Sequence, residues 1–223
     1  NALCMNIMKS KNEGFLNESR KYYFNALIEL EKVFSNYIDT DLTENDSILK
    51  TITYFDPDRQ LNLVKKFGYT LSMIEDGFGT NSKWKWSFVD MEGRYVTILK
   101  NMINWKKVGS NNDPRMPYYE EREILTKMVK ELLKKASERA RQKYELSTHE
   151  IEDMRKGVGY LNALRKIHSV FGESEQAEVC KKTAGIWNEK LESDIKAKDK
   201  KRRISSSQSK NNKKKKKKKS FFG

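Results

Sequence analysis

The sequence predicts an all-α fold, an antiparallel helical bundle or short α-solenoid of about six or seven helices with a disordered basic C-terminal tail. Three observations carry this. Apolar residues recur at steps of three and four along most of the chain, strand alternation is nowhere sustained, and the charge divides into a near-neutral body and a basic end.

Tyr23, Ala26, Leu27, Leu30, Phe34 and Tyr37 form an apolar stripe within a helix of about residues 17–38. Asp39 to Asp46 is a polar connector, and Phe55-Asp-Pro-Asp58 is a turn, because Pro57 lacks the N–H a helix interior needs. The next helix, about Asp58 to Gly77, presents Leu61, Val64, Tyr69, Leu71 and Ile74. Gly77 and Gly79 end it, and Thr80-Asn-Ser82 is a cap. The strongest periodicity follows. Trp84, Phe88, Met91, Tyr95, Ile98, Met102 and Trp105 alternate steps of four and three, a seam that must bury against other helices.

Val108 to Pro114 ends that segment. Pro117 suits the first turn of another long helix, with Glu120, Glu121 and Glu123 where the helix dipole favours negative charge. Its expected stripe is Ile124, Met128, Leu132, Ala136 and Ala140. Ser147-Thr-His-Glu150 has capping-box spacing and predicts a helix towards Phe171. Gly172-Glu-Ser174 then turns the chain into a final helix from about Glu175.

Two helical hairpins share a spacing of small residues. Leu164 is followed by Gly172, Ala177 and Ala184; near the start, Gly14, Ser19 and Ala26 repeat the offsets of five and seven. Small residues there let antiparallel helices approach closely. The pattern resembles the tetratricopeptide repeat, with Asn6 in place of a leucine and Lys181 in place of an aromatic residue. The resemblance implies a helical hairpin in residues 1–40, the end of a repeat array extending upstream; the apolar spacing and the charge division give a helical domain in 41–195 and the tail in 196–223. A chain that opens on Asn1 and enters helix-like sequence at once also reads as a fragment.

The tail holds fourteen Lys or Arg and one acid, giving +13 of the total +14 and leaving +1 for residues 1–195. Its basic clusters, the candidate polyanion-binding residues, are Lys200, Lys201, Arg202 and Arg203, then Lys213, Lys214, Lys215, Lys216, Lys217, Lys218 and Lys219. With two apolar residues between Lys196 and Ser220, this stretch cannot bury enough surface to fold. Weak contact with RNA or DNA backbones or with anionic lipid, and a bipartite nuclear signal, are the uses such clusters serve. Ser205, Ser206, Ser207 and Ser209 lie between the clusters, where phosphorylation would cut the charge.

Catalytic signatures are missing from the chain. His149 and His168 belong to no metal-ligand spacing, the Gly77/Gly79 and Gly157/Gly159 pairs follow no strand, and acids are matched by bases along the body. No catalytic, cofactor-binding or metal residue is expected. Lys83-Trp-Lys-Trp86 interleaves bases and aromatics, but Trp84 belongs to the seam, so core packing is the better account. Cys4 and Cys180 lack ligand partners and read as buried thiols in a reducing, intracellular setting: the cytoplasm, or the nucleus of a eukaryote. No apolar run reaches the roughly 20 residues of a membrane span. The function expected is a non-enzymatic scaffold or adaptor that binds protein through its body, its partner unidentified. The alternative is a helical protein associated with RNA or DNA.

Overall fold

The computed structural model describes the backbone of residues 2–39, 41–42, 46–79, 82–110 and 113–219. Side chains are described from residue 13 to 200, except 40, 43–46, 80–81 and 111–112. Among these residues there are eight α-helices and no strand. They are α1 (Ala2–Phe34), α2 (Asp46–Thr51), α3 (Pro57–Phe78), α4 (Lys85–Asn101), α5 (Trp105–Ser110), α6 (Tyr119–Lys143), α7 (Ile151–Val170) and α8 (Ser174–Lys219), with one π-helical turn at Tyr144–Thr148 before α7. The six-residue α2 and α5 account for the number above the expected six or seven.

Local chemistry sets the boundaries. The Asp56 carboxylate accepts the Arg59 N–H at 2.9 Å with Pro57 as the first helical residue, and Gly79 closes α3 with φ +83°. Six of the seven seam residues behave as the spacing predicts: Phe88, Met91, Tyr95, Ile98, Met102 and Trp105 are buried, while Trp84, just before α4, is half-buried. The seam is not one helix, however. Met102–Asn104 breaks the run, and Trp105 reaches the core from α5, its indole N–H donating to the Lys100 carbonyl at 2.8 Å.

Helix α4 is the centre of the molecule, contacted by α1, α3 and α6, while α6, α7 and α8 pack in chain order along one side. One hydrophobic core runs from Tyr23 on α1 to Cys180 on α8, and a smaller cluster gathers Tyr144, Met154, Trp187 and Leu191. Residues 1–40 therefore share the core of residues 41–195.

Several expectations are corrected. Gly14 makes no turn; α1 runs through it to Phe34, so residues 1–40 hold one helix and not a hairpin. Tyr37 and Tyr69, expected in buried stripes, are exposed. Ser35, at φ +67°, ends α1 before Tyr37 can continue its face. On α3 it is Gly68 that faces inward, against the Tyr95 hydroxyl, which turns Tyr69 to solvent. The stripe of α6 is Leu125, Val129, Leu133, Ala136 and Ala140, with Ile124 exposed. A strict step of four drifts about 40° per repeat, so the expected stripe began off the buried face. The capping box at Ser147–Glu150 does not form: Glu150 precedes α7 without a side-chain cap, and the π-helical turn ends on His149 at φ +50°.

Gly172 makes the α7–α8 turn at φ +71°, and Ala184 is buried. Residues 196–200, expected in the disordered tail, are helical and exposed. The disorder expected of the rest of the tail falls on residues 201–223, whose side chains lie outside the described residues, although the α8 backbone is assigned to Lys219.

Candidate functional site

Two surface features can do something chemical: a charged cleft and an aromatic groove. The cleft, about 510 Å³, opens between α1, α4, α6 and α7. Asp90 and Arg94 on α4 face Lys143 on α6, Asp153 on α7 and Glu31 on α1. The Lys143 ammonium donates to both Asp90 carboxylate oxygens at 2.7 and 2.9 Å and pairs with Asp153 at 3.1 Å, while the Thr148 hydroxyl donates to Asp153 at 2.6 Å. Burial alone would lower the Lys143 pKa, but hydrogen bonds to these two carboxylates hold it above its ordinary value. Arg94 donates to Glu31 at 2.8 Å and lies over the Phe24 ring at 4.8 Å. Beside the cleft Glu92, 2% exposed, is closed by Lys135 at 2.7 Å and Arg139 at 2.9 Å, and Arg139 also bridges to Glu75. Four cations and five carboxylates thus tie α1, α3, α4, α6 and α7 together. The arrangement is a clamp, since a buried ion held by two partners is costly to unpair.

The groove is different in kind. Leu16, Tyr22, Tyr23 and Ala26 on α1 and Phe67, Tyr69, Met73 and Ile74 on α3 line a space of about 630 Å³, its walls mostly apolar. The two helices run antiparallel, since Tyr23 meets Phe67 with ring centroids 5.6 Å apart and Gly77 lies against Leu16. Tyr22 is 67% exposed, Tyr69 68% and Met73 53%, and Phe15 is 70% exposed on the same helix as Tyr22. Large apolar groups gathered at a rim in this way make the groove a candidate docking surface.

The residues singled out in the sequence are placed as follows. Lys200, the last tail residue with a described side chain, is exposed. Lys201, Arg202, Arg203 and Lys213 to Lys219 lie outside the described side chains, as does Cys4. Cys180 is a buried free thiol, its pKa pushed up by burial. The Trp84 ring is stacked by Arg20 at 4.0 Å and packs edge-on to Phe78, while Trp86 is half-buried. His149 sits edge-on to Tyr144, and the half-buried His168 ring bonds Glu173. Gly157 and Gly159 are close-contact positions, against Ser137 and Ile38. Among the described residues no group of His, Cys, Asp and Glu is placed to hold a metal ion, and no helix is long and apolar enough to cross a membrane. Neither the clamp nor the groove was anticipated. A buried acid reads like a surface one in sequence, and the groove appears only once Tyr69 turns outward.

Residues 1–195 match the family model of the TP0443 family. The chain belongs to the TP0443 family. The match ends where the basic tail begins, so the +13 of the last 28 residues lies outside it. No curated protein and no solved structure matches the chain.

Proposed function

We propose that this TP0443-family chain is a non-enzymatic helical scaffold whose body docks protein at the α1–α3 groove and whose tail makes weak, non-specific contact with polyanions. The observation that carries the reading is the groove: exposed Tyr22, Tyr69 and Met73 around an apolar floor, on a body of net charge +1. Exposed tyrosine and methionine are favoured at protein interfaces. The α7–α8 pair keeps the small-residue spacing that resembles a tetratricopeptide hairpin, which supports a role in protein contact. We place the protein inside the cell, in the cytoplasm, on the strength of the buried reduced Cys180.

The second reading, a helical protein associated with RNA or DNA, draws support from the tail alone. Lysine is a hydrated point charge that meets phosphates without reading bases. The whole chain with Lys200 to Arg203 and Lys213 to Lys219 replaced by serine separates the two. Titrated at two salt concentrations against RNA, DNA and anionic vesicles, the natural protein should bind all three similarly and lose affinity steeply with salt. The substituted protein should bind none. Tight, sequence-selective binding by the substituted protein would establish the second reading.

A further inference from the structure

We infer that the α1–α3 face joins two copies of this chain in a two-fold dimer, a step that rests on the docking reading above and names its partner. The inference comes from the order of residues on the outer side of α3. Lys66, Tyr69, Met73 and Asp76 follow one another at helical spacing, and all four are exposed. They span about 15 Å of helix.

The midpoint of Lys66 and Asp76 is position 71, and so is the midpoint of Tyr69 and Met73. In an isologous contact residue i meets residue j of the other copy, and j meets i. A single two-fold axis through position 71, with the two α3 helices antiparallel, therefore makes both pairings at once. Tyr69 of each copy lies on Met73 of the other, and Lys66 of each lies against Asp76 of the other. Thioether against aromatic ring and ammonium against carboxylate are both favourable contacts. The groove beside this stripe, with Tyr22 on its far wall, gives the opposing tyrosine an apolar floor. Docking of an unrelated protein would not require the two pairs to share a midpoint. That shared centre is the reason to assign a second copy.

Sedimentation of the whole chain, from low micromolar to hundreds of micromolar, tests it. The natural chain should pass from monomer to dimer as concentration rises. Met73→Lys should keep it monomeric. Lys66→Glu alone, which puts like charges at both ends of the contact, should weaken dimerisation about tenfold. Adding Asp76→Lys should restore it, because the reversed pair is again complementary. Both charge variants are at exposed positions and should keep the helical circular dichroism, so they decide the matter even if Met73→Lys misfolds. A chain that is monomeric at every concentration, or a dimer indifferent to the charge reversals, overturns self-association. Such a result leaves the scaffold reading to the polyanion titration, which fails only if the neutralised protein selects a nucleic acid.

Discussion

Helices α4 and α8 are built from opposite materials. Twelve of the 17 residues of α4 are buried, among them Glu92, Lys100 and Asn101, and its sequence includes Gly93, Thr97 and β-branched Val89, Val96 and Ile98, none of them strong helix formers. α8 spans 46 residues rich in lysine, yet among its described side chains only Cys180, Ala184, Trp187 and Leu191 are buried. The first is helical because tertiary packing holds it so, and the second largely because its residues favour helix. Stability and charge are therefore housed apart. The interior of the body holds charges such as Glu92 and Lys143 in closed pairs, and the C-terminal end of the sequence carries nearly all of the net charge.

The severest test of this division is a deletion at the centre of α4. Phe88→Ala should cost about 3–5 kcal/mol, since Phe88 has no exposed surface and α4 is enclosed by three helices that cannot easily collapse onto the space. The midpoint of chemical denaturation reads it directly. A shift near zero would make α4 peripheral and remove one side of the comparison.

A subtler test uses one substitution at two glycines. A methyl group at Gly93 on α4 would stand 2.3 Å from the Tyr160 hydroxyl, while at Gly185 on α8 it would meet nothing within 4 Å. Gly93→Ala should destabilise by about 1–3 kcal/mol through overpacking. Gly185→Ala should stabilise by about 0.5–1 kcal/mol, because only the backbone entropy of glycine is removed. Thermal melts of the two variants should move in opposite directions. Equal shifts would mean that packing constrains the two helices alike.

This contrast also explains what the sequence could reveal. The seam from Phe88 to Trp105 was legible because apolar residues at a sustained three-four spacing leave few alternatives to burial. The other buried faces of α4 were not, since Glu92 and Lys100 look like surface residues until Arg139 and Lys135 are brought to Glu92 from a helix more than forty positions away. The shifted stripe of α6 shows the limit of spacing read without a partner helix: Ile124 and Leu125 are both apolar, and only α4 and α7 choose between them. Gly14 misled for a similar reason. Glycine is compatible with a turn, but it is also tolerated within a helix at modest cost, and α1 runs through Gly14 unbroken. Tyr37 and Tyr69 were read as core because tyrosine has an apolar body, and the exposure of Tyr69 helps to create the groove.

The smallest expected effect concerns the tail. Replacing Lys213 to Lys219 with serine should change the stability of the body by no more than about 0.5 kcal/mol, the range of surface substitutions remote from packing. Among the described residues, the buried stripe of α8 ends at Leu191, with Ile195 half-buried one turn later. Anchoring polar contacts lie just beyond. The Tyr144 hydroxyl donates to Asp194 at 2.6 Å, and Lys198 donates to the His149 carbonyl. Burial, with the Asp194 carboxylate adding to it, pushes the Tyr144 pKa up to about 12, and the hydrogen bonds from Tyr144 and Lys190 hold Asp194 below the usual carboxylate range. A depressed carboxylate contributes stability above its unfolded pKa and loses it as pH falls through the folded value, so this anchor should loosen only in acid. Asp194 lies nineteen residues before the lysine run, beyond the roughly 10 Å reach of unscreened charge at moderate salt. The melting temperature of the serine variant at neutral pH should therefore match that of the natural chain at both low and moderate salt. A marked stabilisation confined to low salt would show that the tail's charge strains the body, and the two ends of the molecule would then be coupled.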